Sequence, residues 1–276
     1  MAMKEAARIG LRVVAVALAL GIVTAAWAGT VDWSWGFEDG TIGGANDWDY
    51  GPPAVVPSNT GGIPAHSGSF MAAAEYGTSI FSRYGGYSSV WPAGGFRMEL
   101  AMYLDMAWTA YNDMRFEWIS AICNNAGNHR RDFVFNMGTQ TAADAALGNY
   151  GIYIDGGNNA GGDPRDNNPI FLTAGDWYLL RCTFYDDGGV VACDMQVLDT
   201  TGTTVLGTWT RKDASDLVSL IGGNRYGWLY AHPQDVIYFD DSILDIYPYP
   251  EEIIPEPMSL SLLVLAATGL VRRNRK

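Results

Sequence analysis

Between positions 96 and 104 the chain alternates. Phe96, Met98, Leu100, Met102 and Leu104 are apolar, and Arg97, Glu99, Ala101 and Tyr103 fall between them. A period of two sends one row into a core and turns the other outward, which predicts a half-buried strand. Residues 114–119, 132–136, 150–154 and 236–239 predict further short strands, with clusters of Gly, Asn, Asp and Pro between them to make turns. Only residues 213–221 suit a helical turn or two. Many short strands joined by turns over ~220 residues predict an all-β, two-sheet antiparallel jelly-roll sandwich.

One hairpin can be placed in register. Asp187-Gly188 suits a two-residue type I′ turn between the runs 177–186 and 189–195. Positions on the two arms then face each other so that Cys182 lies opposite Cys193, on the same face as Leu180, Phe184, Val191 and Met195. This site is a hydrogen-bonded pair, where side chains stand farther apart than at alternate sites. A disulfide and two buried thiols are equally compatible with it. None of the three cysteines, Cys123 included, has CxxC spacing or a flanking His, so thiol catalysis and metal binding through sulfur have no support.

The ends depart from this pattern. Lys4, Arg8 and Arg12 precede an apolar run at 13–23, and Ala26-Trp27-Ala28 supplies a small-x-small cleavage site. Residues 1–28 therefore read as a signal peptide, which predicts an exported protein and permits disulfides. At the other end, residues 258–271 are apolar or small and uncharged, and Arg272, Arg273, Arg275 and Lys276 follow. As a helix, those 14 residues reach only ~21 Å into a hydrocarbon core ~30 Å thick. The segment is marginal as a permanent span, and the basic cluster would hold it as a stop-transfer element. Charge excludes one partner. Residues 29–254 carry ten basic against 28 acidic side chains, a net charge of −18, which repels phosphate backbones and argues against nucleic acid.

Pro255-Glu256-Pro257, the short apolar segment with Gly269 near its end, and the basic tail with Arg272 and Arg273 resemble the PEP-CTERM sorting signal. The resemblance covers the last 22 residues. It implies processing by an exosortase, a membrane-embedded protease-transpeptidase. It also implies transient inner-membrane anchoring and delivery to the envelope or extracellular matrix of a Gram-negative-type bacterium, in association with exopolysaccharide and biofilm. The predicted order is signal peptide 1–28, β-sandwich 29–247, linker 248–254 and sorting signal 255–276, the last with a short hydrophobic helix. The body has a resemblance of its own. Gly36-Phe37-Glu38-Asp39-Gly40, Gly175-Asp176-Trp177-Tyr178 and the closing run from Tyr238 to Ile246 resemble concanavalin A-like lectin/glucanase domains of the laminin G type. That likeness implies that the first and last strands meet in one sheet.

The sandwich hosts lectins, hydrolases and adhesion modules, so function has to be argued from a site. A glycosidase needs two carboxylates ~5–9.5 Å apart. Glu99 and Asp105 are six residues apart on one strand, ~20 Å, and no Glu-x-Asp-x-x-Glu strand or Gly-x-Ser-x-Gly elbow occurs. His129 near Asp132 would suit a base and its orienter, but without a nucleophile no catalytic residue is assigned, and His129 reads as a loop or strand-end residue hydrogen-bonded to a neighbour. Binding has better support, since aromatic rings can stack on sugars and nine tryptophans lie in the body. Most must be core. Trp228 with Tyr226, in a Gly- and Asn-rich segment expected to be loop, is the first surface candidate, and Trp108 with Tyr111 is the second. The run 155–168 offers Asp155, Asp163 and Asp166 as oxygen ligands for Ca2+, without EF-hand spacing; a solvated loop is the simpler reading. The expectation is a noncovalent carbohydrate-binding or adhesion module. The alternatives are a purely structural surface protein and a polysaccharide-cleaving glycoside hydrolase.

Overall fold

The alternation at 96–104 becomes a strand with the predicted ends, one of fourteen among the described residues. The computed structural model describes residues 32–75, 77–158, 162–230 and 235–247. The predicted signal peptide, the linker and the whole sorting signal, including Pro255, Glu256, Pro257, Arg272 and Arg273, lie outside the described residues. In chain order the strands are β1 (Trp33–Trp35), β2 (Ala54–Pro57), β3 (Phe70–Ala74), β4 (Ser79–Ser82), β5 (Phe96–Leu104), β6 (Arg115–Asn124) and β7 (His129–Thr139). They continue with β8 (Ile152–Gly157), β9 (Ile170–Leu172), β10 (Asp176–Asp187), β11 (Val190–Leu198), β12 (Val205–Leu217), β13 (Ile221–Tyr230) and β14 (Ile237–Ile246). Among the described residues no helix is long and apolar enough to cross a membrane.

Two antiparallel sheets result. One runs β12-β11-β10-β5-β14-β3-β2, with β1 paired to β14, and the other runs β4-β13-β6-β7-β8-β9. Trp33 faces Leu244 and Trp35 faces Ser242, so the first and last strands do meet. The inner faces interdigitate around large side chains such as Phe96, Phe116, Trp118, Phe135, Phe184 and Phe239. This is the expected all-β sandwich.

Three local expectations are corrected. The outward row of β5 is not solvated, because Glu99 and Ala101 are buried beneath a second apolar cluster of Ile63, Met71, Trp177, Leu179 and Leu198, and Glu99 pairs with Arg181. Residues 213–217 extend strand β12, and only Val218–Leu220 form a 3-10 turn. The buried Asp216 receives both Arg130 and Arg131 from β7, a tether that favours the extended course. In the β10–β11 hairpin, Gly188 and Gly189 form the two-residue loop between the facing residues Asp187 and Val190. Both have positive φ, 67° and 90°, as a type I′ turn requires, and two glycines meet that demand without strain where Asp187 would not. Cys182 therefore faces Met195 and Cys193 faces Phe184; the two are diagonal neighbours, buried as free thiols. Burial and then the Cys182 thiol push the Cys193 pKa up.

Candidate functional site

Register sorts the outward face of the six-stranded sheet into rows. Phe81, Trp228, Ile119, Val134 and Gly157 are successive cross-strand partners from β4 to β8. On one side of this apolar row, Ser79, Tyr230, Glu117, Asn136 and Asp155 form a polar one. On the other side lie Tyr226, Ala121 and Asp132. The alternate residues Leu229, Trp118 and Phe135 point into the core, while Ile119, Val134 and Asp155 on the outward face are themselves fully covered, so the exposed part of the face lies towards β4 and β13.

The rings on this face hold one another. Phe81 stacks on Trp228 with centroids 5.1 Å apart and planes 12° apart, and it meets Tyr226 edge-on at 5.3 Å. Tyr230 meets Trp228 at 5.9 Å, and Tyr50, 66% exposed, meets Phe81 at 5.0 Å. Trp228 Nε1 donates to Ser79 Oγ at 2.8 Å, which fixes the indole. His129 lies parallel to Tyr226 at 5.9 Å, and its Nε2 is 2.8 Å from Asp132 Oδ1. Burial and then the Asp132 carboxylate push the Tyr226 phenol up to about 12. Phe81, Tyr226, Trp228 and Tyr230 are all half-buried. The result is a rigid aromatic patch that reaches solvent.

Beside it, along β6 and β7, lies a cleft of about 310 Å3 lined by Arg115, Glu117, Asn136, Gly162 and Asp163 together with Phe116 and Met137. Gly162 and Asp163 form its far wall. A Cβ on Gly162 would stand 2.8 Å from Asn136 Nδ2, so a glycine is needed for the backbone to come this close. Asn136 Nδ2 donates to Asp155 Oδ1 at 2.8 Å, whereas Asn136 Oδ1 is buried with no hydrogen-bond partner. Arg115 grips Asp163 through both terminal nitrogens, at 3.2 and 2.8 Å. Burial alone would raise the Asp163 pKa, but hydrogen bonds from Arg115 and Arg165 bring it below the usual carboxylate range.

Tyr226 and Trp228 are thus brought together, on strand β13 rather than on the expected loop. Trp108 is only 1% exposed; it sits in the 3-10 turn Met106–Ala110 and packs edge-on against Phe116 at 5.0 Å, so it is core, while Tyr111 beyond it is exposed. Asp155 is fully buried and accepts from Asn136 and from the backbone and side chain of Asn167. Asp163 is occupied by Arg115 and Arg165, and Asp166 is exposed. Among the described residues no three His, Cys, Asp or Glu side chains gather as a metal site. Sequence reasoning missed Phe81, Tyr230, Glu117 and Asn136. The Tyr226-x-Trp228-x-Tyr230 alternation was the available signal, hidden by the glycines around it.

A second polar cluster lies at the β14 bulge. His66 Nδ1 is 2.6 Å from Asp241 Oδ2, and His66 Nε2 donates to Thr200 O at 3.0 Å. Asp240 is fully buried; burial and then the neighbouring Asp241 carboxylate raise its pKa to about 7. The hydrogen bond to Asp241 is the main cause that raises His66.

No protein-family model matches the chain, and no curated protein matches it. Among solved structures, the chain is similar to the CBM2 module of the evolved Dit of Lactobacillus casei BL23 phage J-1 (11% identity, 79% of this chain and 97% of that one, TM-score 0.40). It is also similar to winged bean acidic lectin complexed with methyl-alpha-D-galactose (7% identity, 76% and 96%, TM-score 0.43) and to lectin I-B4 from Griffonia simplicifolia (9% identity, 80% and 95%, TM-score 0.33). Likenesses this distant carry no function across. The sheets and rows described above stand on their own.

Proposed function

We propose that the body is a noncovalent carbohydrate-binding module and that the outward face of β4-β13-β6-β7 is its site. The supporting observation is the aromatic cluster of Tyr50, Phe81, Tyr226, Trp228 and Tyr230, locked by mutual stacking and set beside a polar cleft. Fixed rings lose little entropy when a sugar stacks on them, and the neighbouring acceptors orient its hydroxyls. Of the two carboxylates that line the cleft, Asp163 is held by Arg115 and Arg165. Glu117 and Asp132 are four residues apart along neighbouring strands, roughly 13 Å, and Asp155 is buried under amide donors.

The reading is tested by retention of the full-length chain on insoluble polysaccharides. Trp228→Ala should weaken binding by about 3- to 10-fold, from the ~0.5–1.5 kcal/mol of an aromatic contact. Unchanged retention by a folded Trp228→Ala protein would refute it. The Pro255-Glu256-Pro257 tail supports export and delivery to the envelope through an exosortase-type enzyme. Mass spectrometry of the cell-surface form tests that part, because an intact Lys276 would count against processing.

A further inference from the structure

We infer that Arg225, at the rim of the aromatic face, anchors an oxyanion of the bound glycan, the carboxylate of a uronate or a sulfate ester. The inference rests on the binding site proposed above and adds the chemical class of its ligand.

The anchor follows from an irregularity in β13. Asn224 pairs with Ile122 and Tyr226 with the adjacent Ala121, so Arg225 is one extra residue fitted between consecutive partners. A bulge of this kind bends the strand and re-aims a side chain. Arg225 is carried towards Tyr87, and its guanidinium carbon lies 4.6 Å from the centre of that ring. Tyr87, 48% exposed, is a fixed shelf. Asn224 Nδ2 donates to Gly86 O at 2.9 Å and Ser88 N donates to Asn224 O at 3.3 Å, which ties both neighbours of Tyr87 to the bulge. Gly127 makes room for the ring, since a Cβ there would stand 2.6 Å from Tyr87 Cε2.

The partners of Arg225 set it apart. Nine of the ten Lys and Arg side chains in residues 29–254 donate to a protein oxygen. Arg225 makes no hydrogen bond or ion pair among the described residues, and its Nε is buried and donates to nothing. A buried donor without an acceptor costs free energy that an incoming acceptor relieves. Stacking on Tyr87 occupies a face of the guanidinium and leaves its N–H edge, a planar fork that matches a carboxylate or sulfate. Asp132 is already held by His129 at 2.8 Å and by the Tyr226 phenol at 3.4 Å. The charge of Arg225 reaches the aromatic patch, since it opposes the upward push that burial and Asp132 give the Tyr226 phenol. The net charge of −18 on the body resists acidic chains at long range, but the Debye length is ~8 Å at 0.15 M salt, so a direct contact at Arg225 outlasts it.

The test measures retention of the full-length chain on beads of cellulose, carboxymethyl-cellulose and sulfated cellulose at ~0.15 M NaCl, so that one backbone carries no oxyanion, a carboxylate or a sulfate. The wild-type chain should be held more strongly on one of the acidic matrices than on cellulose. Arg225→Gln should lower that retention ~10-fold more than it lowers retention on cellulose, the scale of a charge-assisted hydrogen bond. The matrix most affected identifies the oxyanion. Arg225→Lys, which keeps the charge and loses the planar fork, should fall between wild type and Arg225→Gln. The basic ends of the chain are the same in all three proteins, so their contribution cancels. Retention on cellulose alone, acidic retention unchanged in both variants, or an equal loss on all three matrices would overturn the anchor and leave glycan binding standing. Retention on none of the matrices would remove the binding site and this inference with it.

Discussion

Two tryptophans that look alike in the sequence have opposite assignments. Trp108 and Trp228 are each flanked by a Tyr and by polar residues, yet one is sealed in the core and the other stands half-buried on the outer sheet face. The difference is which strand or turn each occupies, a property no local window contains. Trp108→Ala should cost about 3–5 kcal/mol, read as a lower urea midpoint at an unchanged slope, whereas Trp228→Ala should change glycan retention far more than the midpoint. The polar residues of the cleft were illegible for a related reason. Asn136 and Glu117 become neighbours only through the β6–β7 register, and Asn136 is notable only because its Oδ1 has no partner.

At the scale of elements, strand alternation was readable and turn chemistry decided the details. Strand β5 has the ends that its period of two predicts, and its covered outer row came from a second apolar layer that the strand itself does not encode. The hairpin turn shifted by one residue to place Gly188 and Gly189 at the positive-φ positions, and that shift separated the two cysteines. Thiol titration should accordingly count no reactive cysteine in the folded protein and all three after denaturation without reductant; a count of one would indicate a Cys182–Cys193 bridge. The short helix Ala142–Ala146 carries a capping box, Thr141 with Asp144, which is a signal visible in the sequence that the strand pattern overshadowed.

The β14 bulge makes its own prediction. The folded protein holds the Asp240 proton to about pH 7, against 3.8 for an aspartic acid free in water, so stability falls as pH rises through that window. His66 acts with the same sign: its pair with Asp241 is fully present below pH 6.5 and is lost as pH rises through its elevated folded value. The melting temperature should be higher at pH 5.5 than at pH 8, by about 2–4 °C for each kcal/mol. Asp240→Asn should flatten this dependence, and a wild-type profile that rises towards pH 8 would contradict the assignment.

At the scale of the whole molecule, the account joins a two-sheet sandwich to a single working face. The architecture followed from many short strands and turns, and the meeting of the first and last strands bears out what the resemblance implied. The face required the fold, because its rows draw on segments from Ser79 to Tyr230 that are far apart in the chain. Since no three acidic side chains converge as a cation site among the described residues, glycan retention should survive EDTA. A loss of binding that calcium restores would point to a different site.

The central claim is that sugar meets protein at Trp228. Indole N–H resonances report on it directly, since each tryptophan gives its own signal and Trp228 Nε1 is tied to Ser79 within the patch. On titration of the 15N-labelled chain with a neutral oligosaccharide, the account predicts a saturable shift of the Trp228 indole signal, with those of the buried Trp108, Trp118 and Trp209 unmoved. Saturable shifts at other tryptophans with Trp228 unchanged would contradict it.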